Sequence, residues 1–82
     1  MSVEYYRKQI IDLRARLTKE KESKKKDNAY YAALIKGTSS ASSKTAYRKS
    51  KMDKAASHDR AIDNLKKQIE NAKANLAKAR KK

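Results

Sequence analysis

Proline is absent from the 82 residues and glycine occurs once, at Gly37. These two residues most often interrupt helices, and the rest of the chain is rich in Ala, Lys, Arg, Glu, Leu and Gln, which favour them. The one strong interruption is the run Gly37-Thr38-Ser39-Ser40-Ala41-Ser42-Ser43. The expectation is a helix over 3–36, a turn over 37–43, a helix over 44–80 and a basic C-terminal tail. Gly37 suits the left-handed position after a helix C-terminus, and the hydroxyl of Ser42 or Ser43 can cap the next helix.

The spacing of apolar residues tests that division, because a helix facing one partner repeats its apolar side chains in alternating steps of three and four. The first arm does so through Val3, Tyr6, Ile10, Leu13 and Leu17, and in the same register through Glu20, Lys24, Asp27, Tyr31 and Leu34. The second arm does so through Ala55, His58, Ile62, Leu65, Ile69, Ala72, Leu76 and Ala79, with Lys51 and Arg48 completing it backwards. Laid antiparallel, position 3 faces 79, 6 faces 76, and so on to 34 facing 48. Every pair sums to 82, so the fold point is residue 41, inside the Ser-rich turn. Turn chemistry and register agree on an all-α antiparallel two-helix coiled-coil hairpin. Arms of about 34 residues at 1.5 Å per residue make a rod roughly 50 Å long.

The seam is uneven. Toward the termini it sets Tyr6 against Leu76, Ile10 against Ala72, Leu13 against Ile69 and Leu17 against Leu65. Toward the turn it sets Glu20 against Ile62, Lys24 against His58, Asp27 against Ala55 and Tyr31 against Lys51. The first half reads as the stable one and the second as weak or splayed. Tyr6, Ile10, Leu13, Leu17, Tyr31, Leu34, Ile62, Leu65, Ile69 and Leu76 form the expected core and protein interface. Beside the seam fall Ile11, Ile35 and Met52, with Tyr5, Tyr30 and Tyr47 further round or near the turn. They either widen one core stripe or meet a second hairpin or a larger protein's groove. A hairpin with about eight large core residues is marginal alone, which points to self-association or a larger partner.

Chemistry is scarce. Cysteine is absent and His58 is the one histidine, so disulfides and clustered zinc ligands are excluded, and no cofactor or metal site is expected. No nucleophile stands at a helical spacing from His58, and the Ser-rich turn lacks the glycines and Gly-Lys-Ser/Thr signature of a phosphate loop. The expectation is a non-enzyme without a small-molecule substrate. The longest apolar run, Ala32-Ala33-Leu34-Ile35, falls far short of the ~18 residues of a membrane span, and no signal-peptide core opens the chain. The default compartment is the cytoplasm.

Charge is the strongest global feature: 23 Lys and Arg against 9 Asp and Glu give a net +14. Residues 1–36 carry +5 and residues 37–82 carry +9. Lys24, Lys25, Lys26, Arg48, Lys49, Lys51, Lys54, Arg80, Lys81 and Lys82 are the candidate polyanion contacts. Such a rod binds DNA or RNA nonspecifically by releasing counterions, with steep salt dependence. Against this, Phe and Trp are absent as stacking platforms and no recognition motif appears. The alternative is a solvated Lys-rich face.

Three stretches carry a family resemblance. Val3-Glu4-Tyr5-Tyr6-Arg7-Lys8-Gln9-Ile10 with Leu13 opens the chain; Ile35-Lys36-Gly37-Thr38-Ser39-Ser40-Ala41-Ser42-Ser43 forms its turn; Ala61-Ile62-Asp63-Asn64-Leu65-Lys66-Lys67-Gln68-Ile69 and Ala77-Lys78-Ala79 close it. Together they resemble the N-terminal coiled-coil segment that precedes the TIR domain in a group of bacterial TIR proteins. The more polar, Tyr-rich stretches 24–33 and 48–58 depart from that pattern. The resemblance implies self-association, in the setting of anti-phage defence by NAD⁺ cleavage. No TIR domain lies within these residues, so no catalytic residue carries over. The size and shape are also similar to the small helical hairpins that accompany type VII secretion substrates. The motifs differ, however: no Trp-x-Gly stands at the turn, and no Tyr is followed at the fourth position by Asp or Glu.

The expectation is thus a non-catalytic hairpin module that associates with itself or a larger protein. The alternatives are a nonspecific nucleic-acid-binding rod and a helper for a secreted toxin.

Overall fold

The computed structural model describes residues 3–81 and consists of two helices, α1 (Val3–Gly37) and α2 (Ala41–Arg80), folded back on each other as an all-α hairpin. No strand occurs among the described residues. The rod measures 64 × 14 × 11 Å. It is longer than expected because the turn takes only Thr38, Ser39 and Ser40, leaving 40 residues to α2, roughly 60 Å of helix.

The turn is closed by hydroxyls and requires no left-handed residue. Ser40 is extended (φ −78°, ψ 122°), and its Oγ accepts the Ser43 N–H at 3.3 Å. Its carbonyl accepts the Lys44 N–H at 3.0 Å, and its own N–H donates to Thr38 Oγ1 at 3.2 Å. The cap is therefore Ser40, not Ser42 or Ser43, both of which lie inside α2. Gly37 is the last residue of α1 and has no positive φ, contrary to the left-handed role expected of it.

The seam lies largely where the spacing puts it. From Val3 to Leu34 all ten positions on α1 are buried or half-buried, as are those on α2 from Lys51 to Ala79. Arg48 is the exception, exposed while Lys44 and Tyr47 are shielded instead.

Ile10, Leu13, Ile69 and Ala72 form a buried cluster on which Leu17, Leu65 and Leu76 pack, and Ile62 is buried further along. Tyr6, Tyr31 and Leu34 are half-buried. Large side chains opposing small ones, as Ile10 opposes Ala72, let the helices close on each other.

Candidate interaction surface

Polar bridges replace apolar contact toward the turn. His58 on α2 sits between two carboxylates of α1, with Nδ1 2.5 Å from Glu20 Oε1 and Nε2 2.6 Å from Asp27 Oδ2. Glu20 and Asp27 are seven residues apart, two helical turns, and so face α2 on one side, above and below the ring. Carboxylate oxygens only accept, so both ring nitrogens donate together only in the imidazolium form. The hydrogen bond to Asp27, then that to Glu20, raises the His58 pKa above its ordinary 6.5, against a smaller opposing effect of burial. One residue along, Lys24 donates from Nζ to Asp59 Oδ1 at 2.6 Å.

These bridges revise two expectations. Lys24 does not face His58 but Asp59, and the turn-side half is tied across the helices rather than splayed. The sequence held the signal: Glu20 and Asp27 occupy seam positions flanking the level of His58. Both imidazole nitrogens are engaged, and no group of three His, Cys, Asp or Glu among the described residues is arranged to hold a metal ion.

The candidate polyanion contacts are not gathered on one face. Lys24 is drawn into its ion pair and Lys51 is half-buried, while Lys25, Lys26, Arg48, Lys49, Lys54, Arg80 and Lys81 are exposed. Lys25 and Lys54 fall on opposite flanks of the seam by their spacing, and Arg48 and Arg80 are about 48 Å apart along α2. Lys82 lies outside the described residues.

Exposed large apolar side chains stand on both flanks of the seam, Ile11 and Met52 on one and Tyr5 and Tyr30 on the other. Ile11 is 65% exposed and Met52 73%. A shallow groove beside the terminal core is lined by Arg7, Ile10, Ile11, Arg14, Lys73 and Leu76. A second, toward the turn, is lined by Asn28, Ile35, Arg48, Lys51, Met52 and Ala55. Arg7, Arg14, Asn28 and Ile35 each lie one residue past a seam position of α1, and Met52 and Lys73 one past a seam position of α2. In an antiparallel pair those positions border the same flank, so the two grooves lie along one side of the rod. The rim cations Arg7 and Arg14 were not singled out from the sequence, although their place beside the seam was legible. Tyr5 and Tyr30 belong to the other flank, each set edge-on at 5.2 Å to its neighbour in the seam, Tyr6 or Tyr31.

No helix among the described residues is long and apolar enough to cross a membrane. No family model, curated protein or solved structure matches the chain.

Proposed function

We propose that the chain is a non-catalytic interaction module of the cytoplasm, associating with itself or with a larger protein through the seam and the apolar residues beside it. The observation that carries this reading is the unfilled flank: Ile11 and Met52 stand exposed beside a core of five buried residues among those described. Exposed apolar side chains next to a thin core are what a partner helix covers. The TIR resemblance adds a setting, bacterial anti-phage defence, in which such a module holds copies of a longer protein together.

Sedimentation velocity across a concentration range, at low and at physiological salt, with and without a short DNA duplex, tests the proposal. Self-association that ignores the duplex supports it. The net +14 favours one competing reading, a nonspecific polyanion-binding rod. In that case a monomer co-sediments with DNA at low salt and releases it near physiological salt, and Arg48→Gln with Lys49→Gln weakens binding. The dispersal of cations around the rod supports the solvated-face alternative over this one.

A further inference from the structure

The two grooves share one construction, an apolar floor with a cationic rim. At the terminal end Ile11 and Leu76 lie between Arg7, Arg14 and Lys73. At the turn end Ile35 and Met52 lie beside Arg48 and Lys51. The rims are only partly neutralised from within. Arg7 meets Glu4 at 4.0 Å and Lys73 meets Glu70 at 3.5 Å. Arg14, Arg48 and Lys51 have no ion-pair partner among the described residues.

We infer that this flank is a docking site for an acidic amphipathic helix of another protein, which lies along the rod and completes a three-helix bundle. This rests on the interaction-module reading and names its partner's chemistry. Three observations select that occupant. An apolar floor needs an apolar stripe rather than a bare polyanion, since phosphates gain nothing from covering Ile11 or Met52. An unpaired cationic rim needs carboxylates beside that stripe. A second copy docked symmetrically through the same flank sets this cationic rim against the same rim on another chain of net +14, which opposes that arrangement. The spacing fixes a minimum length: from Ile11 to Ile35 is 24 residues of α1, about 36 Å, so the partner helix spans roughly 25 residues to cover both floors.

The test uses the full chain and a labelled synthetic peptide of 28 residues, with Leu at two seam positions of each heptad and Glu beside them, followed by fluorescence anisotropy in physiological salt. The Leu/Glu peptide binds, and the double variant Ile11→Glu, Met52→Glu weakens it at least tenfold while the circular dichroism spectrum is unchanged. Tyr30→Ser, on the opposite flank, leaves binding within about twofold. Equal binding of a scrambled peptide of the same composition overturns the proposal, because charge alone then suffices. So does binding that survives the double variant. Sedimentation of the same samples without peptide separates this inference from the broader reading. A hairpin that ignores every peptide yet self-associates overturns the acidic-helix proposal and leaves the module standing; one that ignores every peptide and stays monomeric overturns both.

Discussion

The two halves of the hairpin are joined by different forces. From Val3 and Ala79 to about Glu20 and Ile62 the helices meet through apolar side chains, and the five buried residues among those described lie in that half. From Lys21 to Arg60 no residue is buried, and the helices are tied by His58, Glu20, Asp27, Lys24 and Asp59. Apolar burial is insensitive to salt and pH, whereas ionic bridges at half-exposed positions are screened by one and titrated by the other. The terminal half should therefore set whether the chain folds, and the turn half should set how that fold responds to its surroundings.

The largest effect expected is in the terminal half. Leu13 is 5% exposed at the centre of the apolar cluster, and Leu13→Asp places a charge there with no partner. The cost, on the order of 3–5 kcal/mol, exceeds what so thin a core can lose, so helicity by circular dichroism at micromolar concentration should collapse. Leu34→Asp, at a half-exposed site near the turn, should leave most of the helical signal. If both variants behave alike, the halves are not distinct.

The next effect belongs to His58. Because its folded pKa lies above 6.5, its contribution is fully present below pH 6.5 and is lost as pH rises through the raised value. Two charge-assisted hydrogen bonds at a site 16% exposed contribute about 1–2 kcal/mol, which corresponds to a fall in melting temperature of several degrees between pH 6 and pH 9. His58→Gln should flatten that slope. Hydrogen exchange should place the loss in the turn half, with amides near Leu13 and Ile69 protected at both pH values; uniform loss of protection would mean the halves open as one unit.

A smaller gain should come from the turn. Gly37 is helical with nothing within 4 Å of where a Cβ would stand. Gly37→Ala therefore meets no strain and should stabilise the hairpin by about 0.5–1 kcal/mol, read as a rise in the thermal midpoint. A loss instead would show that the glycine visits a left-handed conformation absent from this structure.

What the sequence revealed follows the same division. Where large apolar residues recur every three and four positions, burial has one solution, and the register of Tyr6, Ile10, Leu13, Ile69 and Leu76 was legible without coordinates. Near the turn the side chains are polar and long, so the spacing puts them on the seam but does not say which of them pair. Four serines in six residues offer several caps of similar worth, which is why Ser40 could not be told from Ser42 or Ser43. Arg48 was assigned to the seam by carrying the spacing of α2 backwards through Lys51 toward that undetermined turn. The flank grooves were half legible: Ile11, Ile35 and Met52 stood out as apolar, but their cationic rims became a feature only when the two helices were set side by side.

The finest test of the comparison is the Lys24–Asp59 pair. Its geometry is good at 2.6 Å, yet the side chains are 33% and 55% exposed, so water and salt screen the attraction and the long lysine loses rotamer freedom in making it. A double-mutant cycle with Lys24→Gln and Asp59→Asn, measured by urea unfolding, should give a coupling of only about 0.2–1 kcal/mol, shrinking toward zero at high salt. The shielded His58 bridges should resist salt better, since their two carboxylates hold one ring from both sides. A Lys24–Asp59 coupling that matches the His58 contribution and persists in salt would mean that the turn half is drier than its exposures indicate.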